Sequence, residues 1–181
     1  SPVPERRWSR AVIDRQVQHL TRLIDDLLDI SRITRNKLVL RRSPIELAEV
    51  ITAAVETSRP LIEQCGHELT VSLPSEALYI DGDAVRLSQV FQNLLNNAAK
   101  YTERGGRISL TAERQDDAVV VRVKDTGVGI PPDTLPRLFE MFYQADRSLE
   151  RAQSGLGVGL ALVRRLVEAH GGRVEARSEG V

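Results

Sequence analysis

His67-Glu68-Leu69-Thr70-Val71-Ser72-Leu73-Pro74, HELTVSLP, is where the chain changes period. Leu69, Val71 and Leu73 alternate with Glu68, Thr70 and Ser72, the pattern of a half-buried strand, and Pro74 stops it. Upstream of this stretch the apolar spacing is helical throughout. Downstream, strand and helix patterns are mixed. The fold class expected is therefore α+β, with the strands confined to the later part of the chain.

Between Trp8 and about Lys37, Ile13, Val17, Leu20, Ile24 and Leu27 recur at steps of four and three. Leu23, Leu28 and Ile30 widen the stripe, while Arg15, Arg22, Asp25 and Asp26 fill the opposite face. Such spacing, over some five turns at the chain end, favours the seam of a coiled coil or four-helix bundle over the plainer alternative, an amphipathic helix packed on its own domain. Ser43 and Glu46 are spaced as a capping box, which predicts a second helix over 45–63, kinked or ended by Pro60.

After the strand, LYIDGD (78–83) predicts a second short strand and a turn. Residues 83–99 then read as a helix with Val85, Leu87, Val90, Phe91, Leu94 and Leu95 inward. GGRISLTAE (105–113) and AVVVRVKD (118–125) predict a hairpin joined through Arg114-Gln115-Asp116-Asp117. A last helix over 157–170 leads into a strand, GRVEARS (172–178). The sum is a two-layer α/β sandwich with a mixed sheet, at 41–181, preceded by a long bundle helix at 1–40.

Composition narrows the function. Apolar residues make up 41% and charged residues 28% of the 181, as in a soluble globular chain. Lys plus Arg equal Asp plus Glu at 25 each, so no basic excess points to nucleic acid or an anionic membrane surface. A single cysteine, Cys65, has no partner for a disulfide, which favours a reducing compartment and a cytoplasmic chain. No apolar run approaches the roughly 18 residues of a membrane span, although an anchor can lie in a larger parent.

Three segments carry chemistry. In NLLNNAAKYT (93–102), Asn93 and Asn97 share one helical face, with Lys100 a turn beyond. Asparagine competes for backbone hydrogen bonds and is a poor mid-helix residue, so two of them suggest wanted amide oxygens, suited to Mg²⁺. A polar helix surface is the plainer reading. DTGVGIPP (125–132) ends a strand, and Gly127 and Gly129 let a ligand approach the backbone, while Asp125 can accept from an exocyclic amine. It is also what an ordinary strand-to-helix turn looks like. SGLGVGLAL (154–162) opens a helix with Gly155, Gly157 and Gly159, whose free N–H groups suit a phosphate. A dinucleotide fingerprint needs a strand before it, and polar QADRSLERAQ (144–153) stands there instead.

In this order the segments resemble the ATP-binding domain of sensor histidine kinases, which share their nucleotide fold with gyrase, Hsp90 and MutL. NLLNNAAKYT is similar to the N box, DTGVGIPP to the first glycine box, LFEMFYQADRS (138–148) to the F box and GLGVGL (155–160) to the second glycine box. RQVQHLTRLIDDLLDISRI (15–33) resembles the second helix of the dimerisation and histidine-phosphotransfer domain.

That resemblance implies the following roles. Asn97 coordinates Mg²⁺ bridging the ATP phosphates, and Asn93 assists in the catalytic step. Lys100 contacts phosphate and Tyr101 lies against the nucleotide. Asp125 takes the adenine amine, with Gly127, Gly129 and Ile130 bordering the base. Phe139 and Phe142 anchor a lid over 144–153. Gly155, Leu156, Gly157, Val158 and Gly159 hinge it and offer N–H groups to phosphate. Arg147 and Arg151 either neutralise the γ-phosphate or belong to a solvated charged loop. Phosphoryl transfer needs positioning and charge neutralisation more than covalent help, which fits this division of labour.

The family's phosphorylated histidine sits on the first dimerisation helix, in a His-Glu-Leu-Arg-x-Pro setting. His67 follows the second helix and continues into a strand. His19 lies on the second helix without a following acid. His170, before Gly171-Gly172, suits the dipole of a helix end. The expected phosphoacceptor is therefore outside this chain, and the fragment is expected to bind Mg·ATP without phosphorylating itself. A closing strand that usually follows SEG is also not in the sequence, which ends ARSEGV. The implied partners are a response-regulator receiver domain, separate or fused downstream in a hybrid parent, and a second copy joined through a four-helix bundle. Two alternatives stay open: an ATP-hydrolysing clamp, which would want a general base where Asn93 stands, and a nucleotide-binding dimeric scaffold without turnover.

Overall fold

The structure, a computed structural model, describes residues 3–35, 38–143 and 157–180. Four α-helices and five strands are formed among them: α1 Val3–Thr34, β1 Ser43–Glu46, α2 Leu47–Gln64, β2 Glu68–Ser72, β3 Tyr79–Gly82, α3 Ala84–Tyr101, β4 Arg107–Gln115, β5 Ala118–Asp125 and α4 Gly159–Ala169. β2, β4 and β5 form a mixed sheet in that order, with β2 parallel and β5 antiparallel to β4. β1 and β3 form a separate antiparallel pair.

The central strand decides the layering. Ile108, Leu110 and Ala112 alternate along β4 and are buried on one face, as a period of two requires. They join one core with Ile51, Ala54 and Ile62 of α2, Leu87, Phe91 and Leu95 of α3, and Leu162 and Leu166 of α4. The β4–β5 hairpin closes on two residues, Asp116 and Asp117, and Asp116 takes a positive φ of 52°. HELTVSLP forms β2, although Val71 faces solvent while Leu69 and Leu73 pack on the core.

Three expectations fail for identifiable reasons. Ser43 and Glu46 do not cap α2. They belong to β1, paired with Gly82 and Tyr79, and the first N–H of the helix goes to the Leu78 carbonyl instead. A local capping pattern has lost to a pairing partner more than thirty residues away. α2 itself forms over Leu47–Gln64 with Pro60 inside it, close to the 45–63 expected. Val85 is exposed, because it sits about 200° around α3 from the buried Leu87. Finally, 172–178 forms no strand: the stretch alternates in burial but bonds to no sheet neighbour.

α3 and α4 are tied at one hub. The Asp83 carboxylate caps α3 through the Arg86 N–H at 3.2 Å and also accepts the Arg41 N–H at 2.9 Å. Its own N–H donates to His170 Nε2 at 3.0 Å, and His170 Nδ1 lies 2.7 Å from the Leu166 carbonyl. Both ring nitrogens are thus engaged, and Nε2 as an acceptor requires the neutral Nδ1–H form. The expected role of His170 as a charge at a helix end is replaced by a hydrogen-bonded link between helices. Burial works to raise the Asp83 carboxyl, but the hydrogen bonds from Arg41 and Arg86 and the Arg86 charge outweigh it and hold the carboxyl below its ordinary value. Stability from Asp83 is therefore full above the unfolded carboxyl value of about 3.9 and is lost as pH falls through its lower folded value. Asp83→Asn, which cannot accept at both oxygens, should cost about 1 kcal/mol at pH 7. Thermal melts should show that deficit shrinking as the pH is taken below 4.

α1 docks by its polar face. Asp26 and Asp29 are buried, and Arg86 Nη1 donates to Asp29 Oδ2 and, at 2.9 Å, to Gln89 Oε1. Gln89 Nε2 in turn reaches Asp29 Oδ2 at 3.2 Å. The reading of Asp26 as part of a solvated face is corrected: α3 supplies its surroundings. Ile30 joins the core, but Ile13, Val17, Leu20, Ile24 and Leu28 are left facing outward, so most of the apolar stripe is not spent on this domain. No helix among the described residues is long and apolar enough to cross a membrane.

Candidate functional site

The three motif segments meet along one face of the C-terminal half of α3. At its C-terminal end the Tyr101 carbonyl accepts the Val128 N–H at 3.1 Å, which binds the turn after β5 to the helix. Within that turn Asp125 Oδ1 takes the Gly127 N–H at 2.8 Å. This local bond leaves Oδ2, on an exposed side chain, without a partner among the described residues. Nearer the middle of α3, a Cβ built on Gly159 would lie 3.4 Å from Asn93 Oδ1, so α4 begins beside Asn93. Val158 precedes α4 and gives no side-chain cap, which leaves the first-turn N–H groups to other acceptors.

Between these two anchors lie Asn93, Asn97 and Lys100. Asn93 Nδ2 is buried without a hydrogen-bond partner among the described residues. Asn97 makes no hydrogen bond there either, and Lys100 forms no ion pair, its Nζ lying 4.8 Å from the Tyr101 ring centroid. An unpaired buried amide costs on the order of 1–3 kcal/mol, and Nδ2 is a donor that a phosphate oxygen can satisfy. Two amides and an ammonium at i, i+4 and i+7 suit a phosphate chain with its counter-cation. Asparagine oxygens are hard donors of the kind Mg²⁺ takes, so the residues present fit that ion.

The F-box segment reaches the same place. Phe142 donates its N–H to the Gly157 carbonyl at 3.0 Å and holds a φ of +62°, uncommon for a side chain of its size. Gly157 has a φ of +69°, and a Cβ there would come to 2.8 Å from the Tyr143 carbonyl, so only glycine fits the clasp. Phe142 itself is exposed, and Phe139 is half-buried. Gly155, Leu156, Arg147, Arg151 and the expected lid at 144–153 lie outside the described residues, as does the His19 side chain.

One contact was not foreseen. Ser178 Oγ accepts the Ile130 N–H at 2.9 Å. A lone serine in a polar tail gives no periodic or spacing signal, and nothing short of the folded chain would single it out.

The model of the histidine kinase-, DNA gyrase B- and HSP90-like ATPases matches residues 82–180, and the chain belongs to that family. Its relatives include sensor histidine kinases. The signal transduction histidine-protein kinase BaeS of Escherichia coli (strain K12) is 36% identical over 166 residues, covering 92% of this chain and 35% of BaeS. The structure of full-length ShkA in complex with AMPPNP is similar with a TM-score of 0.77 and 30% identity, covering 97% of this chain and 37% of ShkA. Histidine kinase ThkA in complex with response regulator protein TrrA shares the fold, with a TM-score of 0.70 at 21% identity over 98% of this chain and 49% of that one. The chain spans between 23% and 35% of the length of the curated relatives it matches first. The α+β fold with a mixed sheet is that of histidine kinase catalytic domains.

Proposed function

We propose that residues 41–180 are the catalytic domain of a two-component histidine kinase, binding Mg·ATP and passing the γ-phosphoryl to a histidine on a helix outside this chain. Residues 1–40 are the second helix of its dimerisation domain. The observation that carries the reading is the α3 face at Asn93, Asn97 and Lys100, polar and unpaired between a glycine turn and an uncapped helix start.

In this reading Asp125 Oδ2 accepts the adenine amine, and the bond from Gly127 holds the carboxylate in place. Gly127, Gly129 and Ile130 border the base, and Tyr101 lies against it. Lys100 neutralises phosphate charge, and the first-turn N–H groups at Gly159 add the favourable end of a helix dipole. Asn97, with Asn93 beside it, would hold a magnesium ion, which would supply charge neutralisation to the phosphate chain. The Phe142 N–H bond to the Gly157 carbonyl ties the F-box segment to the start of α4. Asn93 cannot take up a proton, which disfavours water activation and the hydrolysing clamp. The outward stripe of α1 supports pairing with other helices, hence a homodimeric bundle, and a response-regulator receiver as the next acceptor.

His67 and His170 do not serve as acceptors. His67 is buried with Nε2 held by the Ala99 carbonyl at 2.9 Å, and His170 uses both nitrogens in the hub. The test is radiolabelled ATP given to this chain with a separately supplied helix carrying His-Glu-Leu-Arg-x-Pro. Acid-labile, base-stable label on the added helix is expected. Label on this chain alone, or phosphate release at roughly 1 s⁻¹ without transfer, would overturn the proposal.

A further inference from the structure

The geometry points to Ser178 as a positioning residue of the nucleotide site, fixing the far wall of the base pocket through the Ile130 backbone. The inference rests on the nucleotide reading above. In the turn from Asp125 to Pro131, beyond the Thr126 N–H that donates to the Arg107 carbonyl of β4 at 3.0 Å, three N–H groups are pinned, each by a different element. Gly127 is held by Asp125 Oδ1, Val128 by the Tyr101 carbonyl at the end of α3, and Ile130 by Ser178 Oγ at 2.9 Å. The first two pins lie on the near side of the turn. Only the third holds the half that carries Gly129 and Ile130.

The tail that provides it is itself fastened there. Among the described residues, the Ile130–Ser178 bond is the one hydrogen bond that joins 173–180 to the rest of the fold. The same hydroxyl accepts the Gly180 N–H at 3.3 Å, so Ser178 also shapes its own loop. That loop brings the Gly180 carbonyl against Gly129, into the space a Cβ would need, where φ is +75°. The glycine at 129 is thus required by the tail as well as by any ligand. Without the hydroxyl, the Ile130 N–H loses its acceptor, and the turn is held from one side only.

A net hydrogen bond contributes about 1 kcal/mol, so Ser178→Ala should weaken ATP binding on the order of fivefold. The loss should be specific to base recognition. Calorimetry in magnesium, well below the melting temperature, would compare ATP with inorganic tripolyphosphate, an analogue of the phosphate chain that lacks the base. Expected in Ser178→Ala is a fivefold loss for ATP, no more than a twofold change for the analogue, and near-normal affinity restored by Ser178→Thr. Equal losses for both ligands, or unchanged ATP affinity, would overturn the role of Ser178. Wild-type chain that takes up neither ligand would remove the nucleotide reading first, before any variant is compared.

Discussion

Asp125→Ala should lower ATP affinity by roughly 100-fold, the arithmetic of losing about 3 kcal/mol. The carboxylate is asked to do two things at once. Oδ1 takes the Gly127 N–H at 2.8 Å and so shapes the turn, while Oδ2 is left for the base. A hydrogen bond to a charged acceptor contributes about 1.5–3 kcal/mol, and removing this one also leaves a backbone N–H to find water. Asp125→Asn separates the two parts. Its carbonyl oxygen can still accept from Gly127, but the amide then presents a donor to the adenine amine. Titrating both variants with ATP and GTP in magnesium reads the effect. Each should bind ATP weakly, and Asn should erase the preference for adenine while leaving the melting temperature near that of the parent. Unchanged ATP uptake in Asp125→Ala would count directly against the base-reading role.

The second large effect is at Asn97, and its sign differs between stability and activity. The side chain makes no hydrogen bond among the described residues, so nothing in the fold depends on it. Alanine is also the better helix former, by about 0.7 kcal/mol. Asn97→Ala should therefore melt at the same or a slightly higher temperature. Magnesium-dependent nucleotide binding and transfer to an added histidine helix should nevertheless fall roughly 100-fold, since the amide oxygen is the expected metal ligand. A variant that gains stability and loses function is what a residue kept for its ligand gives. Loss of both together would instead make Asn97 part of the fold.

The parts of the structure legible in the sequence are those whose partners are close along the chain. The β4–β5 hairpin needs only a two-residue turn, and α3 needs only its own apolar spacing and the Asp83 cap. The glycine turns and the Asn93–Asn97 face are readable for the same reason, since each is a local pattern. What escaped depends on distant partners. β1 exists because β3 lies beside it, and the residues that seemed to cap a helix are consumed in that pairing. Asp26 is buried because Gln89 and Arg86, sixty residues on, form its surroundings, and no helical wheel of α1 alone reports that. The alternation at 172–178 was a sound strand pattern, yet a strand is defined by its ladder, and here none forms. Ser178 was invisible because its importance is set by the position of Ile130.

Central to the account is that the face bounded by Asn93, Asn97, Lys100 and the Asp125 turn takes up an adenine triphosphate with its metal. Calorimetric titration of a non-hydrolysable ATP analogue into this chain, with magnesium and again after chelation, tests it most directly. One saturable site per chain is predicted, weakened at least tenfold without the metal. A chain that melts cooperatively yet shows no uptake in either condition would contradict it.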